Sequence, residues 1–149
     1  DIIRYDDVLL MQAEAYIELG QQEKALPIIN DIRNRAAAST GRLKKANGTF
    51  ASIYNVKPYS AIGWTQAFAR QALQWERRLE FATEGHRFFD LVRWGIAAQV
   101  LNQYIAVEKT RRPFLATALF TAGRDEYLPI PQSEITFTNG LYKQNPGYN

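Results

Sequence analysis

At 149 residues the chain is one domain's worth of polypeptide, and 46% apolar residues place it among globular proteins rather than disordered ones. The formal net charge is +3, but Arg77, Arg78, Arg87 and Arg93 are interleaved with Glu76, Glu80, Glu84 and Asp90. The field of one sign that a nucleic-acid binder concentrates on one face is therefore not expected, and the absence of cysteine excludes disulfides and thiolate metal sites.

In chain order, Tyr5, Leu9, Gln12, Tyr16 and Leu19 recur at the spacing of one helix face, and Gly20 supplies a stop. A second helix is predicted at once, with Ala25, Ile28, Ile29, Ile32 and Ala36 on one side. Pro27 is tolerated in its early turns if the helix starts near Glu23, and an earlier start predicts a kink. The pair, residues 5–37, has the pattern of one tetratricopeptide-type hairpin. Ala13, Tyr16, Ala25 and Ile29 fall at its small, aromatic, small and bulky positions. No second copy follows, so the partner surface must come from the rest of the domain or from a longer parent.

Periodicity fails across residues 39–63, where glycine, proline, asparagine and serine predict a long loop. It carries Phe50, Tyr54 and Tyr59, and Trp64 stands at its exit. Thr65 is a suitable N-cap for the next helix. Within the helical stretch 65–109, Phe68, Ala72, Trp75, Leu79 and Ala82 suggest an apolar seam, with Leu73, Arg77, Glu80 and Glu84 on another face. Gly85 breaks this helix, His86–Trp94 resumes it, Gly95 breaks it again, and Ile96 to about Glu108 completes it. The remainder, 113–149, reads as an irregular, extended tail, because the prolines of Leu128-Pro129-Ile130-Pro131 forbid helix there. The expected class is all-α, with minor extended pieces near Tyr54–Tyr59 and Tyr127–Ile130.

Chemical signals are sparse. Glu76, Glu80 and Glu84 follow one another at i,i+4, but they come from one helix and alternate with arginines. A glycosidase instead flanks a sugar cleft with its two carboxylates. The better reading is a structural charge network of Arg77, Glu80, Glu84, Arg87, Asp90 and Arg93, locking two helices around the Gly85 break. His86 is the single histidine, so neither a metal site nor a Ser-His-Asp triad has a basis. No glycine-rich phosphate loop occurs, and no cofactor is implied. The rings remain: Tyr54, Tyr59 and Trp64, with Asn47, Asn55 and Arg42 beside them, suit stacking on sugar C–H faces. The competing reading is that they anchor the loop to the helices, and for Trp64 above all this is the stronger one.

Four motifs carry a resemblance. NDIRNRA (Asn30–Ala36), ERRLEFATEGHRFFDLVRWG (Glu76–Gly95), LPIPQSEI (Leu128–Ile135) and QNPGY (Gln144–Tyr148) occur in the order in which they stand near the C-terminus of SusD/RagB proteins, surface nutrient-binding lipoproteins of Bacteroidetes-type bacteria. The chain, which begins at Asp1 and within a helical pattern by Tyr5, accordingly resembles the C-terminal domain of a longer parent. The resemblance implies a helical fold with tetratricopeptide-type pairs and non-catalytic capture of glycans or other nutrients. It further implies exposure at the outer membrane through an N-terminal lipid anchor outside this chain, and delivery to a SusC-like TonB-dependent transporter. The alternative is a protein-interaction scaffold of tetratricopeptide type.

Overall fold

The computed structural model describes residues 3–148. The fold is all-α, and among the described residues the only β pairing is an isolated bridge between Lys44 and Phe50. The chain divides into two compact units, residues 1–82 and 83–149.

The first unit is built on α1 (Tyr5–Glu18), α2 (Gln22–Ser39) and α3 (Gln66–Glu80). The turn from α1 to α2 needs a left-handed residue, and Gly20 provides it at φ +71°. The Gly20 N–H donates to Ile17 O, and the Gln21 N–H to Tyr16 O, so two carbonyls that the helix end would orphan are satisfied. Helix α2 starts at Gln22, which leaves Pro27 in its second turn, and the helix continues to Ser39. Thr65 caps α3 as expected, its hydroxyl accepting from the Phe68 N–H at 3.2 Å.

The core of this unit consists of Leu10, Ala13 and Ile17 of α1, Ala25, Ile29 and Ile32 of α2, Ala69, Ala72 and Leu73 of α3, together with Trp64 and Phe81. The small residues Ala13, Ala25 and Ala69, all fully buried, let the three helices approach closely. Tyr16 packs on the edge of this cluster. The α2 face thus agrees with the sequence reading, whereas two others are rotated. In α1, Tyr5 and Leu19 are exposed and Leu10, Ala13 and Ile17 face inward. In α3, Phe68, Trp75 and Leu79 are exposed, and the buried face runs Ala69, Ala72, Leu73, Glu76, Arg77.

The reason for both rotations is a layer of paired charges beside the core. Arg77, 3% exposed, donates to Asp7 at 2.8 Å. Arg33 of α2 meets Glu76 at 2.7 Å, and Arg4 and Arg35 both reach Glu80, at 2.8 and 2.6 Å. The Arg4 and Arg77 guanidiniums also lie 5.0 and 5.1 Å from the centre of the Phe81 ring. Carboxylates of α3 are thus used to hold the hairpin, and the faces that carry them must turn inward.

The second unit contains α4 (His86–Arg93), α5 (Ala97–Glu108) and α6 (Gln132–Phe137). Among its described residues, Asp90, Leu91, Ala97 and Glu108 are buried. Its C-terminal portion departs from the expected extended tail, because α6 forms directly after Pro131 and a 3₁₀ turn spans Pro113–Leu115. The Leu128–Ile130 strap is held without a sheet. Gln144 accepts from the Ile130 N–H at 2.7 Å and donates to its carbonyl at 2.9 Å. Asn145 donates to Leu128 O and the Tyr148 hydroxyl to Tyr127 O. The motifs LPIP and QNPGY are therefore the two halves of one clasp.

Candidate ligand-binding loop

The segment between α2 and α3 carries the rings. It begins with a 3₁₀ turn, Thr40–Arg42, and then folds back on itself: the Ala51 N–H donates to Leu43 O at 2.9 Å, and the Lys45 N–H to Thr49 O at 2.8 Å. Asn47 sits at the tip, its side-chain oxygen accepting from both the backbone N–H and the hydroxyl of Thr49. Phe50 and Tyr54 meet edge to face at 6.4 Å, and the Lys44 ammonium lies 5.7 Å from the Phe50 ring centre. An open cavity of about 670 Å³ is lined here by Thr40, Lys45, Phe50, Ala51, Ser52, Ile53 and Tyr54.

The loop's return is fixed more firmly. Asn30 of α2 donates to Tyr59 O at 3.0 Å and accepts from the Tyr59 N–H at 2.7 Å. Arg33, one helical turn on, donates to Lys57 O at 2.6 Å and places its guanidinium 4.3 Å from the Tyr59 ring centre. The Tyr59, Trp64 and Phe68 rings pack on one another at centroid distances of 5.5, 5.8 and 5.6 Å. Burial, opposed in part by Arg33, pushes the Tyr59 hydroxyl above the usual tyrosine pKa. Trp64 is 8% exposed, and its indole N–H donates to Gln22 O at 2.7 Å.

The structure thus separates the three rings singled out by sequence. Tyr54 lines the cavity, in T-shaped contact with Phe50. Tyr59 and Trp64 belong to the ring cluster at the loop's base, and Trp64 is part of the core. Phe68, expected in the apolar seam of α3, joins that cluster instead, and its i,i+4 spacing from Trp64 across the Thr65 cap is the signal for it. The Asn30 contact carries no local signal, since its partner lies far along the chain.

The charged residues named from sequence also have defined places. Arg77 and Glu80 pair with Asp7 and with Arg4 and Arg35 in the first unit. Asp90 pairs with Arg93 in the second, at 3.0 Å. Glu84 is exposed in the turn before Gly85, and Arg87 lies half-buried in the first turn of α4. Among the described residues no group of three or more histidine, aspartate or glutamate side chains converges as a metal site would require, and no helix is long and apolar enough to cross a membrane.

A model of the SusD family matches residues 1–148. SusD-like protein P38 of Formosa agariphila is 34% identical over 102 residues, covering 68% of this chain and 18% of the relative. SusD-like protein P2 of the same organism is 28% identical over 147 residues, covering 98% of this chain and 25% of the relative. SusD-like protein P25 is 34% identical over 101 residues, which is 16% of its length. The chain belongs to the SusD family. It spans a quarter or less of the length of these relatives.

Proposed function

We propose that the protein to which this chain belongs captures an oligosaccharide or related nutrient at the bacterial outer surface and passes it, chemically unchanged, to a SusC-like TonB-dependent transporter. Membership of the SusD family is the observation that carries this reading. The geometry adds a means. The loop from Leu43 to Trp64 is braced at its tip and at its return, so rings presented on it are held in place before a ligand arrives.

In this reading Tyr54 offers the face on which a sugar ring stacks, while Tyr59 and Trp64 set the position of the loop. Each productive stack contributes on the order of 1 kcal/mol, as aromatic contacts do elsewhere, so several together give modest affinity. Attachment to the outer membrane is assigned to a lipid anchor in the N-terminal part of the parent.

The test is calorimetry of the full-length protein against a panel of polysaccharides, beside Tyr54→Ala, Tyr59→Ala and Trp64→Ala. Tyr54→Ala should weaken binding of the preferred polysaccharide without changing thermal stability. Affinity unchanged in all three variants would place the site outside this chain. A second reading, a protein-docking scaffold, draws on the exposed Trp75 and Leu79 of α3; capture of a peptide in place of any glycan would favour it.

A further inference from the structure

Between Asp31 and Glu76 the sequence contains no acidic residue, yet it holds seven basic ones: Arg33, Arg35, Arg42, Lys44, Lys45, Lys57 and Arg70. The structure divides these seven sharply. The three helical arginines are neutralised by acids on neighbouring helices: Arg33 by Glu76, Arg35 by Glu80 and Asp6, Arg70 by Glu18. The four cations of the loop, Arg42, Lys44, Lys45 and Lys57, form no ion pair among the described residues. Positive charge in this unit is thus cancelled on the helices and left standing on the loop.

That uncancelled charge borders the cavity. Lys45 lines it directly, Lys44 lies against the Phe50 ring that forms part of its wall, and Arg42 closes the 3₁₀ turn beginning at the lining residue Thr40. The Lys45 backbone is tied to Thr49, and Lys44 and Phe50 are bridged, so the ammonium groups extend from a fixed turn. Two aromatic rings beside an unpaired ammonium suit a ligand with a C–H face and an anionic substituent together. A uronic acid or a sulfated sugar has that combination. A neutral sugar would leave Lys45 without a partner, and a simple anion would leave the rings unused.

We propose that this cavity is a subsite for an anionic saccharide, with Phe50 and Tyr54 meeting the sugar ring and Lys45, supported by Lys44, meeting its carboxylate or sulfate. The proposal rests on the nutrient-capture reading above and narrows its substrate class. Because the lysines are exposed, the charge contribution is screened by salt and weakens as ionic strength rises.

The experiment uses the full-length protein and two matched pairs of probes: polygalacturonate with its carboxyl-reduced form, and dextran sulfate with dextran. Binding is measured by calorimetry at low and physiological salt, with single-stranded DNA as a non-saccharide polyanion. The expected result is that one charged probe binds about ten-fold more tightly than its neutral counterpart. Lys45→Gln should remove most of that preference, Lys45→Arg should keep it, and Tyr54→Ala should weaken charged and neutral forms alike.

Equal binding of the charged and neutral forms would overturn the anionic subsite and leave glycan capture intact. A charge preference unaffected by Lys45→Gln and Lys44→Gln would place the anion site elsewhere. Binding of DNA as tight as that of the preferred saccharide would overturn saccharide recognition at this patch. Binding of none of the four polysaccharides, with the wider panel also negative, would overturn both readings.

Discussion

Asn30 holds both backbone polar groups of Tyr59: its amide donates to the Tyr59 carbonyl at 3.0 Å, and its oxygen accepts from the Tyr59 N–H at 2.7 Å. One side chain on α2 thereby does what a neighbouring strand would do for a single residue of a sheet. Gln144 does the same for Ile130, and Asn102 for Phe120, where both bonds measure 2.9 Å. An all-α protein thus keeps three non-helical segments in place without building a sheet.

Asn30→Ala removes both bonds and leaves a half-buried N–H and carbonyl without partners. We expect a loss of about 1–3 kcal/mol in stability to urea. Hydrogen exchange at the Tyr59 amide should accelerate more than exchange in α1. Equal protection of Tyr59 in wild type and variant would show that Arg33 and the ring cluster suffice to fix the loop.

Arg77 and Asp7 form a buried ion pair in the first unit, with side chains 3% and 4% exposed. Removing either partner breaks a buried, charge-assisted hydrogen bond, so Asp7→Ala and Arg77→Ala should each cost about 3–5 kcal/mol. The double variant should cost clearly less than their sum, because both single changes remove the same interaction. Additive losses in chemical denaturation would show the two groups to be uncoupled.

Glu76 and Glu80 stand one turn apart on α3 and should titrate on opposite sides of the ordinary glutamate value. Burial raises the pKa of Glu76 and outweighs the opposing pull of Arg33. Burial also pushes Glu80 upward, but Arg35 and Arg4 outweigh it and the net shift is down. The Glu80 contribution to stability is therefore complete above the unfolded glutamate pKa and is lost as pH falls through the depressed folded one. Glu76 acts with the opposite sign, its contribution being complete below the unfolded value and lost as pH rises through the raised folded one. Carboxyl carbon shifts followed by NMR should show Glu80 protonating last on acidification. The reverse order would contradict the pairing described for α3.

Gly147 stands at φ +81°, and a Cβ there would lie 2.6 Å from Cγ and 2.9 Å from Cβ of Arg124. These atoms are at the root of the arginine, so the clash cannot be relieved by swinging its far end. Gly147→Ala combines this with a left-handed backbone and should cost at least about 1 kcal/mol. Exchange at the Ile130 amide, held by Gln144, should accelerate. An unchanged rate would show the LPIP strap to be independent of the turn at Gly147.

Parts of this arrangement were legible in the residues themselves. Thr65 as a cap, Gly20 as a stop and the Ala25, Ile29, Ile32 face follow from short-range rules, and the structure agrees with each. The faces expected for α1 and α3 differ from those observed because Tyr5, Trp75 and Leu79 are large and apolar while the buried Ala69 is small; Ala13 and Ala72 are buried as expected. Close helix packing selects the small residues, and the Asp7–Arg77 and Glu76–Arg33 pairs draw polar positions inward. Helix α6 was missed because six residues are too few to show a period. At the loop, the rings were visible but their grouping was not. Arg33 and Asn30 reach Lys57 and Tyr59 across a distance in sequence that no local pattern encodes.

Holding the loop at Lys57 and Tyr59, and its beginning at the 3₁₀ turn after α2, leaves the stretch between Leu43 and Val56 mechanically separate from the three-helix core. Doubling the length of such a stretch costs only about 0.6 kcal/mol in closure entropy. The grip works through the Tyr59 backbone, so it tolerates other side chains upstream of it. This stretch can accordingly be exchanged as a cassette, with Asn30, Arg33 and the Thr65 cap serving as fixed mounting points. A scaffold of this kind can be refitted for a new ligand while its stability stays almost unchanged.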